Sequence, residues 1–291
     1  MKSNVHTPAK AQQAQYSARR LATSHGMTMF ARLGYAAKGI VYLIIGALAV
    51  ELAVGRGGST TDQRGALRTI YEQPFGKFLL IIVAIGLVAF ALWSFIQALF
   101  DTENKGKDAK GILGRIGYAI VGVSYGGLAI GALQLVVGSG NGGKSSTSST
   151  QSWTGTILHY PAGIFLVVLI GLIVLGLAGY MFYRAYSANF KKKLALQEMR
   201  GQVRKWGVYV GRFGYAAMGV VFCIVGLFLI IAAVQHNPND AKGLDSALQV
   251  LLQQPFGTIL LAVVALGLFA YGVYSFVEVR YRRMAGQQFG L

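Results

Sequence analysis

ARLGYAAKGIVY, from Ala31 to Tyr42, is written again as GRFGYAAMGVVF, from Gly211 to Phe222, and in a more divergent form as GRIGYAIVGVSY, from Gly114 to Tyr125. A second phrase follows each one: QPFGKFLLIIVAIGL from Gln73, HYPAGIFLVVLIGL from His159 and QPFGTILLAVVALGL from Gln254. The two phrases alternate, so the repeating unit is a pair of elements present three times.

Both phrases open long apolar stretches. The chain is 54% apolar and only 13% charged, where a soluble domain carries roughly 25% charge. Six stretches are long enough to cross a hydrocarbon core of ~30 Å: Leu33 to Ala53, Phe75 to Leu99, Leu113 to Val137, Ala162 to Tyr186, Phe213 to Val234 and Phe256 to Val277. The expected fold is an all-α, polytopic membrane protein, with six transmembrane helices arranged as three two-helix hairpins. Each unit crosses twice, so the copies enter in the same sense and their symmetry axis runs along the membrane normal.

The division that follows is a basic tail over residues 1–30, a first hairpin over 31–101, a second over 111–187, a basic loop over 188–210 and a third hairpin over 211–281. Of the 27 Lys and Arg residues, 21 fall in the tail, the second and fourth gaps and the C-terminus, and 6 in the other three gaps. The positive-inside rule then puts both termini in the cytoplasm. Acids divide evenly and do not vote. The first thirty residues lack the apolar core of a cleavable signal. Ala9 to Ala22 is expected either as a short basic helix on an anionic leaflet or as a disordered tail.

The net charge of +17 does not point to nucleic acid, because the cations punctuate apolar runs instead of covering a polar face. The expected partners are the lipid bilayer, anionic lipid headgroups and other membrane proteins. The single cysteine, Cys223, excludes an internal disulfide and is expected as a small buried apolar residue.

The repeated R-x-G-Y-x-x-x-G opening and the later P-x-G resemble a bacterial membrane-protein family catalogued as domain of unknown function 1206, over about Ala31 to Tyr281. The second copy departs most, with Tyr160-Pro161-Ala162-Gly163 in place of Gln-Pro-Phe-Gly. The resemblance implies a bacterial cytoplasmic membrane and the six-helix plan. It brings no activity to transfer.

Within the first phrase, Tyr35, Gly39, Tyr42 and Gly46 share one helix face, and Tyr118, Gly122, Tyr125 and Ala129 and then Tyr215, Gly219, Phe222 and Gly226 repeat it. Small residues let helix backbones approach in lipid, so this face is expected as a packing seam, with an aromatic-lined pathway as the alternative. Proline at the start of each even span suits a first helical turn. The segments before two of them, from Gly65 and from Ser246, have helical periodicity and are expected as interfacial helices. Gly138 to Ser152 has the composition of a flexible linker.

No catalytic, cofactor-binding or metal-binding set is expected. Gly122-Val123-Ser124-Tyr125-Gly126 matches G-x-S-x-G, but Gly122 belongs to the packing face and no histidine lies within a span to activate Ser124. His236, Asp240 and Asp245 read more simply as a solvated turn than as a cation site. Lys38 lies near the start of span one and is expected to snorkel to the inner surface, which leaves no charged site at the midplane.

Arg32, Arg115 and Arg212 open the odd spans, and Gln97, Arg184 and Glu278 lie at matching positions near the ends of the even ones. Arg32, Arg115, Arg184, Arg212 and Glu278 are therefore candidate contacts for an anion or anionic lipid. Arg212 is expected to pair with Glu278, and Arg115 to lie beside Arg184. Two functions stay open: a non-enzymatic protein acting through contact with membrane partners or lipids, and a small-solute or ion pathway along the threefold axis.

Overall fold

The computed structural model describes residues 25–100, 108–138, 145–195, 197, 199 and 201–282. Ala9 to Ala22 lies outside them. The described chain is helical: α1 (His25–Ala53), α2 (Gln63–Tyr71), α3 (Gly76–Phe100), α4 (Ala109–Val137), α5 (Ser146–Leu158), α6 (Gly163–Ser187), α7 (Gly201–Val234), α8 (Leu244–Leu252) and α9 (Gly257–Tyr281). Six of them, α1, α3, α4, α6, α7 and α9, are long and apolar enough to span a membrane. At 1.5 Å per residue, the 25-residue helices α3, α6 and α9 are about 37 Å long, enough to cross ~30 Å with one end in the headgroups.

Two boundaries depart from the apolar pattern. Span five begins at Gly201, three turns before its apolar run, because GQVRKWGVYVGR contains no proline and continues the same helix, its glycines notwithstanding. The stretch expected as a linker is helical from Ser146: the Ser145 hydroxyl caps it by accepting from the Ser148 N–H. Cys223 is half-exposed, not buried.

The short helices α2, α5 and α8 precede the three even spans and meet on one face of the bundle. Asp62 caps α2 by accepting from the Gly65 N–H and also accepts from the Ser146 N–H of α5. Ser146 and Thr147 hydroxyls donate to Asp245 of α8 at 3.1 and 2.6 Å, and the Gly243 N–H donates back to Thr147. Asp62 is 2% exposed. The polar serine run thus forms the middle member of a three-helix cap.

The opposite face, which carries the basic gaps, is closed by the segment after α6. A 3₁₀ turn at Asn189–Lys193 drives Phe190 into the bundle, 1% exposed, against the rings of Tyr215 and Tyr274 at 5.3 and 5.1 Å. The Ala195 N–H donates to the Tyr281 carbonyl, which ties the segment to the end of α9.

Helix contacts follow a ring. Each even span packs most closely on the odd span of the next copy: α3 on α4, α6 on α7, and α9 on α1. The equivalent glycines mark these boundaries. A Cβ placed on Gly39 would meet the Phe276 ring at 2.8 Å, on Gly122 the Phe95 ring at 3.1 Å, and on Gly219 the Phe182 ring at 2.9 Å. Phe95, Phe182 and Phe276 each stand two residues before Gln97, Arg184 and Glu278, so one contact is made three times across copy boundaries.

Candidate functional site

Within hairpins the copies differ. In the first, a Cβ on Gly34 would meet the Phe90 backbone at 2.8 Å; in the third, one on Gly214 would meet the Tyr271 backbone at 2.7 Å. Around Gly117, the matching position of the second copy, nothing lies within 4 Å. The helices α4 and α6 make no packing interface with each other. Only 22% and 17% of their most apolar stretches are buried, against 44% or more in the other four spans.

The sequence supplies the reason. In the two closed hairpins, Gly86 rests against Ala37 and Gly267 against Ala217. Counted from the prolines and the tyrosines, the second copy has Ile173 and Ile120 at these places. Two branched side chains replace a glycine and a methyl group at the point of closest approach, and the backbones cannot meet there.

A whole helix face is left uncovered as a result. Gly86, Phe90, Trp93 and Gln97 form one face of α3, and Gly267, Tyr271, Tyr274 and Glu278 the same face of α9; all eight are buried. On α6 this face is Ile173, Leu177, Tyr180 and Arg184, the first three exposed by 51%, 36% and 53%. Across the opening, α4 presents Ile120, 52% exposed, and Ser124, whose hydroxyl donates to the Ile120 carbonyl.

The buried faces meet at the centre of the bundle. Tyr35 stacks edge-on with Phe90 at 5.0 Å and Phe90 with Tyr125 at 4.6 Å. The equivalent chain, Tyr215 to Tyr271 to Tyr42, has spacings of 5.5 and 4.9 Å. Tyr42 and Tyr125 are equivalent residues of copies one and two. Gly39, Gly46, Gly122, Gly219 and Gly226 are buried, while Tyr118, Tyr125 and Phe222 are half-buried.

Charges also occur in this interior. Lys38 does not snorkel: it is 5% exposed and donates to Glu278 at 3.2 Å, because the packing of α9 on α1 brings a carboxylate to its depth. Lys38 lies 4.8 Å from the centroid of the Tyr271 ring. Arg282 donates to the other oxygen of Glu278 at 2.6 Å and lies over Tyr35. Glu278 is 2% exposed and so is paired on both oxygens, the condition under which a buried charge is tolerated.

The arginines separate by role. Arg115 donates to the Ala98 and Leu99 carbonyls at 2.6 and 2.8 Å, and Arg212 donates to the Tyr186 carbonyl at 2.9 Å. Each closes the C-terminus of the preceding even span, where carbonyls lack helix partners and the dipole favours a cation. Arg212 therefore does not pair with Glu278, which Lys38 and Arg282 already saturate, and Arg115 is not held beside Arg184. Arg32, by contrast, has a buried Nε with no hydrogen-bond partner among the described residues. The Arg184 guanidinium carbon lies over the Tyr215 ring, 4.1 Å from its centroid, and 5.8 Å from that of Tyr180. It has no hydrogen bond or ion pair among the described residues.

Sequence reasoning missed the Lys38–Glu278 pair and the opening of the second hairpin. The signal for the opening was present in the contrast of Ala37, Ile120 and Ala217 with Gly86, Ile173 and Gly267. The pair had no local signal, since its partners are 240 residues apart.

Comparison with known proteins agrees with this architecture. A family model described as Domain of Unknown Function (DUF1206) matches three times, over residues 33–101, 116–188 and 213–282. An uncharacterised Bacillus subtilis (strain 168) protein, YxxB, is 36% identical over 259 residues, covering 89% of this chain and 92% of that protein. No solved structure is significantly similar to the chain.

Proposed function

The chain belongs to the DUF1206 family, and from that premise we propose that it is a non-enzymatic, multi-pass protein of the bacterial cytoplasmic membrane that works by lateral contact. It takes lipids or apolar membrane partners onto the open face of its second hairpin. Both termini lie in the cytoplasm, on the side of the basic gaps. The carrying observation is the row Ile173, Leu177 and Tyr180, exposed where both equivalent rows are buried. A helix face that two sister copies cover with protein is a contact surface in the third.

A second reading, a solute pathway along the threefold axis, is favoured by the buried Lys38 and Glu278, since charges inside a membrane bundle often mark transport routes. The three-helix cap at one end and Phe190 at the other oppose it.

A photoactivatable side chain at Ile173 or Ile120 in native membranes separates the two. The lateral reading expects adducts with lipids or membrane proteins at both positions and none at the buried Tyr271. Solute flux into proteoliposomes of the purified chain that Tyr42→Trp abolishes would replace it with the axial pathway.

A further inference from the structure

We propose that the open face holds one anionic phospholipid of the leaflet on the basic side, its phosphate on Arg184 and an acyl chain along Ile173 and Ile120. This rests on the lateral reading above and names its occupant.

The matching position in the three copies carries three different chemistries. In the third, Glu278 is saturated by Lys38 and Arg282. In the first, Gln97 is neutral and 4% exposed. In the second, Arg184 is a cation held in place by the Tyr215 ring, its donors unmatched by any acceptor among the described residues. A guanidinium is a planar fork of N–H groups, the geometry that takes two oxygens of one phosphate.

The rest of the face fits the rest of such a ligand. Ile173, Leu177, Tyr180 and Arg184 follow one another at helical spacing, so hydrocarbon runs to a charged end near the last turn of α6. Arg184 is three residues before Ser187, where α6 ends, about 5 Å inside the helix terminus and at phosphate depth for an inserted lipid. A second copy of this chain is a poorer occupant. A twofold contact through this face sets the same patch against itself and brings two Arg184 side chains to one apolar contact.

The test is native mass spectrometry of the full-length protein, taken from vesicles of phosphatidylglycerol and phosphatidylethanolamine in equal amounts. The wild type should retain one phosphatidylglycerol. Arg184→Gln should lower that retention by about tenfold, the effect of losing one charge-assisted hydrogen bond, and it places at this position the residue that copy one tolerates. Arg184→Lys, which keeps the charge and loses the fork, should fall between. The double variant Arg204→Gln/Lys205→Gln, altering the basic surface pocket lined also by Lys191 and Arg212, should retain the lipid as the wild type does. Equal loss in Arg184→Gln and in the double variant would overturn the site in favour of general surface charge. Displacement of the lipid by inorganic phosphate would overturn the lipid as its source. If Ile173 still cross-links to lipid while Arg184→Gln changes nothing, the headgroup site falls and the lateral reading stands; loss of cross-links to lipid and to membrane proteins alike removes both.

Discussion

Gly39 of α1 is the seat of Phe276 of α9, the ring lying 2.8 Å from where a Cβ would stand. The residues belong to the first and third copies, so this contact joins the two ends of the chain. The same seat recurs at Gly122 for Phe95 and at Gly219 for Phe182, which makes each hairpin the partner of its neighbour.

Leucine at Gly39, Gly122 or Gly219 is expected to force the facing phenylalanine out and cost about 1–3 kcal/mol, the range for overpacking. Leucine at the adjacent Ile40 or Val220 should cost little. Thermal unfolding in a mild detergent measures both. Recovery of part of the loss when Gly39→Leu is combined with Phe276→Ala would assign the effect to this contact.

Lys38→Met leaves Glu278 short of one partner, and Glu278→Gln removes the carboxylate that Lys38 and Arg282 share. Each is expected to destabilise the fold by roughly 3–5 kcal/mol, as removal of one member of a buried pair does. The double variant should lose less than the two singles together, because it sets methionine and glutamine where Met218 and Gln97 stand in sister copies. A double-mutant cycle on unfolding free energies gives the coupling; strict additivity would mean that the pair contributes nothing.

The opening should close when its cause is removed. With Ile120→Ala and Ile173→Gly, the second hairpin regains the small pair found at Ala37 with Gly86. Cysteines at Gly117 and Leu177, the counterparts of Gly34 and Phe90, should then form a disulfide in a Cys223→Ser background. They should not do so with both isoleucines present, since bridging needs Cα atoms within about 7 Å.

Cysteines at Ser59 and Asn239, both exposed on the face of the short helices, are expected to react with an impermeant thiol reagent applied to intact cells. A cysteine at Lys205, exposed on the basic face, should react only after the cells are opened. The reverse pattern would invert the topology.

Six spans and a threefold hairpin repeat were legible in the sequence because apolar length and repetition are local properties. Which helices touch was not. Equivalence between copies shows that Phe276, Phe95 and Phe182 do the same thing, but a phenylalanine on an even span could as well have met its own hairpin's glycine. The fate of Arg212 turned on that point: once α7 packs on α6 and not chiefly on α9, its guanidinium finds the Tyr186 carbonyl. Ser146 misled for a different reason. Serine and threonine are weak helix formers in isolation, and here Asp62 and Asp245, from other copies, supply the acceptors that order them.

The Lys38–Glu278 pair also has a history in time. Synthesis runs from the N-terminus at about 5–20 residues per second, so the 240 residues that separate Lys38 from Glu278 take roughly 12–48 seconds to translate. During that interval the ammonium has no carboxylate, and its long stem must carry it to the headgroups, as lysines near a helix end do. Arrival of α9 exchanges that posture for the ion pair. The first and third copies are therefore joined last, by the final membrane helix, and a chain stalled before α9 should leave Lys38 at the headgroups as a mark of unfinished assembly.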